Sequence, residues 1–244
     1  MTSTALYYID MNPEEILAYR QRSGCTGDLA KVLGGQLSSA RQEKIRSLRF
    51  EEDRLLSLGA GLLMDYGLSR YGLRERQVLM GYKGNQKPCL PDHPHIFFNL
   101  SHSGTIAMAA FGSRELGCDV EQIKKADYKV AARFFAEGEQ QYLERISCPE
   151  EKNTAFYRLW TLKESLIKAT GDGIRMPLNQ FCIRLEDPEH IYAEAGGQML
   201  PYQFWEYSLP GCRAALCMEK PLDQELFLCP KPVLSKITLD GLGL

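Results

Sequence analysis

No C-x-x-C pair occurs among the eight cysteines of this 244-residue chain. Cys25, Cys89, Cys118, Cys148, Cys182, Cys212, Cys217 and Cys229 are scattered, so a structural zinc site is set aside and free, mostly buried thiols are expected. No run of about 18 apolar residues is present, and residues 1–11 hold no basic segment leading into an apolar stretch. A membrane partner is therefore not expected, and the cytoplasm is the expected compartment. Large net charge is also missing: the formal value of −2 offers no global attraction for nucleic acid, leaving only local patches. The G-x-S-x-G elbow of serine hydrolases is absent as well.

What is present suits a folded protein, with 44% hydrophobic and 25% charged residues. Ser39 and Gln42 make a capping box ahead of Ile45, Leu48, Leu55, Leu62 and Tyr66, which predicts one helix over about 39–66. Its solvent side carries Arg41, Lys44, Arg46, Arg49 and Arg54 between acids, a pattern that also fits a self-paired charged face. After the turn-rich stretch 81–92, strands are predicted over His95–Asn99, Thr105–Phe111 and Leu116–Glu121, with residues 101–104 as a turn. A second helix starts at a capping box of Ser147 and Glu150 around Pro149, carries Phe156, Leu159, Trp160, Leu166 and Ile167 as its stripe, and stops at Gly171. Further strands are expected over Phe181–Leu185, Ile191–Glu194, Gln203–Ser208 and Arg213–Glu219, then a loose tail from Pro230. Helix followed by short strands thus occurs twice, and Gly104–Ala110 faintly echoes Gly211–Leu216, a hint of duplication with a site between the halves.

Chemistry concentrates in three places. Asp119 and Glu121, one residue apart on a strand, leave the same face. At about 4 Å two such charges repel by roughly 4 kcal/mol at an effective dielectric of about 20, so a neutralising group is needed. Oxygen ligands without neighbouring Cys or His favour magnesium, although an acidic strand edge would read the same way. Trp160, Glu164 and Lys168 recur at i, i+4 and i+8 along one helix stripe, with Lys163 a step away, a pattern a helical salt bridge would share. Ser101-His102-Ser103 is ambiguous alone, and His93 and His95 flank a Pro94 that suits a loop.

Taken in order, Phe98–Ser103, Gly117-Cys118-Asp119-Val120-Glu121, Phe134-Phe135 with Glu139, and Trp160–Ser165 with Lys168 resemble the phosphopantetheinyl transferases of the surfactin-synthetase-activating (Sfp) type, over roughly residues 39–186. The resemblance implies an α+β fold of two similar lobes related by a pseudo-two-fold. Each lobe would be a long helix on a small, mainly antiparallel sheet, with the active site between them: 1–114, then 115–229, then the tail 230–244. It implies Mg2+ held by Asp119, Glu121 and Glu164, with Glu164 and Lys168 catalytic. Coenzyme A, the co-substrate, would be held by Arg41, Lys44, Ser57, Lys87, Pro88, Ser101, His102 and Lys168. The partner implied is an apo acyl or peptidyl carrier protein, and the enzyme is expected to be monomeric. A basic, apolar-edged surface of Ile123, Lys124, Lys125, Tyr128, Lys129 and Arg133 would meet an acidic carrier. Three positions depart from the family pattern. Cys118 stands for isoleucine or valine, Gln86 for the glycine before Lys-Pro, and Ser57 for a threonine whose preceding arginine is missing, with Arg54 as its stand-in. A magnesium-dependent hydrolase of a coenzyme A or nucleotide pyrophosphate, and a non-catalytic coenzyme A-binding protein, are the alternatives.

Overall fold

Alternation of side chains along the central strands sets the layering of the molecule. The computed structural model describes residues 4–173, 176–187, 190–221 and 229–242. On β5 (Ile106–Gly112) every residue is buried: Ala107, Ala109 and Phe111 enter one apolar cluster, while Ile106, Met108 and Ala110 enter another. A strand buried on both faces requires a layer on each side. One face packs on helix α4 (Glu51–Ser69), and the other meets a second sheet.

The first sheet has the order β12 (Leu234–Lys236), β1 (Ala5–Asp10), β5, β4 (Phe97–Ser103); the second has β10 (Tyr202–Leu209), β11 (Cys212–Glu219), β6 (Leu116–Gln122). β11 repeats the logic of β5, since Ala214, Leu216 and Met218 face the first sheet while Ala215 and Cys217 face helix α7 (Pro149–Thr170). The hairpin β2 (Gly81–Lys83)/β3 (Lys87–Cys89) and the small sheet β7 (Cys182–Asp187), β8 (His190–Ala195), β9 (Gln198–Met199) complete the strands among the described residues, and shorter helices α1 (Pro13–Ser23), α2 (Leu29–Val32), α5 (Tyr128–Phe134) and α6 (Glu137–Glu144) flank the sheets. Apart from the parallel β1–β12 pair, the ladders are antiparallel. The fold is thus α+β with small, mainly antiparallel sheets. Among the described residues no helix is long and apolar enough to cross a membrane.

Five local expectations are corrected. The turn expected over residues 101–104 is Gly104-Thr105 alone, because β4 runs on through Ser103. The helix predicted over 39–66 is two helices, α3 (Ser39–Ser47) and α4, because Leu48 and Phe50 are extended and Arg54 donates to the carbonyls of Leu48 (2.8 Å) and Arg49 (3.2 Å). Its cap is Ser38, whose Oγ accepts the Arg41 N–H and whose own N–H goes to Glu75 rather than to Gln42. α7 begins after Cys148, with Pro149 in its first turn and no side-chain cap from Ser147. The segment read as a loose tail supplies β12, and Ile237 and Leu239 are buried beside α4. The eight cysteines are unpaired as expected, but they are not mostly buried: three are buried and five partly exposed.

Candidate active site

The site is assembled where β4, β6 and α7 meet. On β6, Leu116, Cys118 and Val120 pack into the core between the sheets, which turns Gly117, Asp119 and Glu121 toward α7. Gly117 is required there: a Cβ would sit 2.2 Å from the Ser165 carbonyl oxygen and 2.4 Å from the Ala169 nitrogen. The glycine lets the helix backbone rest directly on the strand, so Glu164 and Lys168 reach the carboxylates. α7 is held in that position by its apolar stripe and ends at Gly171, which adopts the left-handed conformation at φ 74°.

Asp119 is the centre of this arrangement. Its Oδ1 accepts from Lys168 Nζ at 2.6 Å and Ser101 Oγ at 2.8 Å, and Lys168 also reaches Ser101 at 3.0 Å. Its Oδ2 is buried with no hydrogen-bond partner. An orphaned carboxylate oxygen in the interior marks a place for a cationic or donor group. Glu121 accepts from Ser103 Oγ at 2.7 Å. Burial first, and then repulsion from Asp119, push the pKa of Glu121 up, against the Ser103 hydrogen bond. Glu164 is raised by burial and by Asp119 and Glu121, with Lys168 opposing. The three carboxylates therefore sense one another across the β6–α7 contact. Among the described residues, however, no three His, Cys, Asp or Glu side chains are gathered closely enough to hold a metal ion. Burial pulls Lys168 down, but the charge and hydrogen bond of Asp119, together with Glu164, raise it above the usual lysine value.

A second, basic group adjoins the first. The pKa of His102 is lowered by burial and by Lys168 and Lys44, and that of Lys44 by burial and by Arg41. Lys44 and Lys168 thus both act on His102, and Arg41 on Lys44, an arrangement suited to an anion. Arg41 lies 3.7 Å from Glu75, which anchors it. Other expected contacts lie elsewhere. Ser57 is buried in α4 with its hydroxyl unpartnered, and Arg54 is committed to the α3–α4 break rather than standing in beside it. The Lys87 ammonium is bound by Glu115 (2.6 Å), the Leu116 carbonyl (3.0 Å) and the Ala169 carbonyl (2.8 Å), so it ties β3 to β6 and α7. Pro88 lines a cavity of about 320 Å3 with Lys83, Phe97 and Glu115.

Two departures from the family pattern have structural answers. Cys118 is wholly buried, and its thiol is pushed up to about 12, so it packs as an inert apolar group. Gln86 adopts φ 64°, the left-handed region a glycine would enter more easily, in the turn between β2 and β3. That turn touches the end of α7, with the Asn85 N–H on the Gly171 carbonyl at 3.2 Å. Beside Glu164 opens a cavity of about 570 Å3, lined by Phe134, Ile167, Met176, Pro177 and Leu178, with Arg133 stacked over the Phe134 ring at its edge. Arg133, which lines it, is exposed, as are Lys124, Lys125, Tyr128 and Lys129 earlier in the chain, while Ile123 is half-buried.

Sequence reasoning overlooked Asn99 and Ser103 as working side chains. Asn99, Ser101 and Ser103 alternate on β4, and polar residues two apart on a buried strand were the available signal. It also overlooked Glu115, which binds Lys83 and Lys87, and Glu75, which accepts from Ser38. Lys163 points away from the site altogether, fully buried against Glu139.

Known proteins of one family are similar to this chain in sequence. The family model described as the 4'-phosphopantetheinyl transferase superfamily matches residues 115–217. The chain is 34% identical to the 4'-phosphopantetheinyl transferase ffp of Bacillus subtilis over 76% of its own length and 83% of that protein. It is 33% identical to Sfp of Bacillus subtilis strain 168, again over 76% and 83%. With psf-1 of Bacillus pumilus the identity is 36%, over 69% and 72%. With the carboxylate strand, the helix carrying Glu164 and Lys168, and relatives matched over most of their length, the chain belongs to the 4'-phosphopantetheinyl transferase superfamily.

Proposed function

We propose that this chain transfers the 4'-phosphopantetheine group of coenzyme A to a serine of an apo acyl or peptidyl carrier protein, releasing 3',5'-ADP in a magnesium-dependent reaction. The names of the matched relatives support the reaction class. The observation that carries the site assignment is Asp119, gripped at one oxygen by Lys168 and Ser101 while the other oxygen is buried without a partner. Asp119 through that free oxygen, with Glu121 and Glu164 drawn in from the wider spacing they have without an ion, would hold magnesium, which when bound neutralises charge on the pyrophosphate of coenzyme A.

The chain's own residues supply alignment and proton transfer, which are the main requirements of phosphoryl transfer. Glu164, its pKa raised by burial and by its acidic neighbours, takes the proton of the attacking carrier serine. Lys168 stabilises the leaving 3',5'-ADP, while Arg41, Lys44 and His102 hold its phosphates, with Ser57, Lys87, Pro88 and Ser101 of the family pattern nearer the scaffold than the ligand. The cavity beside Glu164 and the exposed Lys124, Lys125, Lys129 and Arg133 suit the approach of an acidic carrier.

In this reading the site lies between two lobes, 1–114 and 115–229, of a monomeric, cytoplasmic enzyme. The parallel roles of α4 with β5 and α7 with β11, and the left-handed turn glycines Gly104 (φ 61°) and Gly211 (φ 66°) before each central strand, support it. The test is intact-mass analysis of apo carrier proteins incubated with the enzyme, coenzyme A and Mg2+. A gain of one phosphopantetheine on a carrier is expected. Release of 3',5'-ADP without a carrier would favour a pyrophosphate hydrolase, and saturable coenzyme A binding without turnover a binding protein.

A further inference from the structure

β4 and β6 are edge strands of different sheets running side by side, and no main-chain ladder joins them. The N–H groups that β6 turns toward β4 are accepted by side chains instead. Asn99 Oδ1 takes the Cys118 N–H at 2.9 Å, Ser101 Oγ takes the Val120 N–H at 3.3 Å, and Ser103 Oγ takes the Gln122 N–H at 3.1 Å. Each rung joins residue i of one strand to residue i+19 of the chain. A hydroxyl has one proton to give. With the backbone N–H fixed on an oxygen lone pair, that proton is directed at the neighbouring carboxylate: Ser101 to Asp119, and Ser103 to Glu121 at 2.7 Å. Asp119 has Lys168 as a second partner. Among the described residues, Ser103 is the one hydrogen-bond donor to the Glu121 side chain.

We propose that Ser103 is a positioning residue, which fixes the Glu121 carboxylate in the orientation a divalent cation requires by taking the Gln122 N–H and giving its own proton to Glu121. The inference rests on the reading of Glu121 as a cation ligand. Groups that orient a metal ligand typically change metal affinity by about 10–100-fold when removed. Ser103→Ala leaves Glu121 free to rotate, and Ser103→Thr keeps a hydroxyl in place.

The test measures Mn2+ binding by electron paramagnetic resonance in the presence of coenzyme A, alongside transfer at varied Mg2+. Ser103→Ala is expected to weaken Mn2+ about 10–100-fold. It should raise the Mg2+ concentration needed for half-maximal rate, regain most of kcat at saturating Mg2+, and leave KM for the carrier unmoved. Ser103→Thr is expected to restore Mn2+ affinity. Asn99→Ala removes the rung that touches no carboxylate, so it should lower thermal stability while leaving Mn2+ affinity unchanged. If Ser103→Ala does not fold, Ser103→Cys, similar in volume and a weak donor, carries the same comparison. An unmodified enzyme that binds Mn2+ and transfers, with Ser103→Ala equal to it in Mn2+ affinity, overturns the inference alone. So does an Asn99→Ala defect in Mn2+ affinity as large as that of Ser103→Ala. An unmodified enzyme that neither binds Mn2+ nor transfers overturns the reading of the site itself.

Discussion

Lys163→Met should unfold this protein far more readily although Lys163 stands next to Glu164 in the sequence. Its ammonium and the Glu139 carboxylate are both fully buried. Lys163 Nζ lies 2.8 Å from each Glu139 oxygen and 2.7 Å from the Phe181 carbonyl, above the Phe181 ring at 4.0 Å. Burial pulls the lysine down and pushes the glutamate up. All the hydrogen bonds to Glu139 nevertheless come from donors, including the Ile183 N–H at 2.7 Å and the Ala136 N–H at 2.8 Å, as suits an ionised carboxylate. Methionine fills the space but leaves that charge without its counter-ion. Breaking a buried pair at one side costs about 3–5 kcal/mol, which at this chain length lowers Tm by roughly 6–20 °C. Glu139 in the variant has a folded-state pKa above its unfolded value. Its penalty is therefore absent below the unfolded value and develops as pH rises through the folded one. The deficit should be larger near about pH 8 than near about pH 5. Urea titration at both pH values measures it. A loss below about 1 kcal/mol at the higher pH would show that the pair contributes no more than an exposed salt bridge.

Gly117→Ala should cost about 3 kcal/mol or more, since its Cβ meets the backbone of α7, which cannot rotate aside; an unchanged urea midpoint would mean the helix sits farther from β6. Glu164→Gln should lower transfer by about 10²–10⁴-fold without lowering Tm, because it removes a half-buried charge repelled by Asp119 and Glu121; unchanged turnover would remove Glu164 from proton transfer. Arg41→Ala and Lys44→Ala should raise KM for coenzyme A more than for its 3'-dephospho form, and equal effects in steady-state assays would count against 3'-phosphate binding. Glu121 and Glu164 have folded pKa values above the unfolded ones, so ionising them destabilises the fold as pH rises through those values and not below. Mg2+ offsets that repulsion, so the rise in Tm on adding Mg2+ should be larger near about pH 8 than near about pH 5. Calorimetry showing equal rises would separate the two carboxylates from the ion.

Features set by local chemistry were legible in the sequence. Gly171 ends α7 because only a residue tolerant of the left-handed region fits there, and the period of two placed Asp119 and Glu121 on one face. What was missed depends on residues distant in sequence. Nothing in Leu48-Arg49-Phe50 forbids a helix; the break is held by Arg54, and the start of α3 is set by Ser38 bonding to Glu75, 37 positions away. β12 is three residues long and gains its register from β1, so no pattern of its own announces it. The turn expected at residues 101–104 shrank to Gly104-Thr105, because the polar face of Ser101 and Ser103 is occupied by β6 rather than by water. The basic residues were visible as a cluster, but their sorting was not. Lys87 and Arg54 were drawn into the scaffold by carbonyls and a carboxylate that only the folded chain brings near.

The joint between β4 and β6 explains why the charged site sits in the interior at all. Had the two edges paired through their backbones, they would lie about 4.8 Å apart, and the N–H groups of β6 would be satisfied by carbonyls. Side-chain rungs place hydroxyls there instead, and each hydroxyl that accepts an N–H still has a proton to donate. The three β6 residues turned toward α7 beside those rungs are Gly117, Asp119 and Glu121. The rung of Asn99 adjoins the glycine that admits α7, and the rungs of Ser101 and Ser103 adjoin the two acids. A carboxylate such as Asp119, 3% exposed, is tolerated because donors satisfy one of its oxygens before any ligand arrives. The residues that join the two sheets therefore also set the direction of the acids, and a change in the rungs reaches the chemistry without touching the substrate.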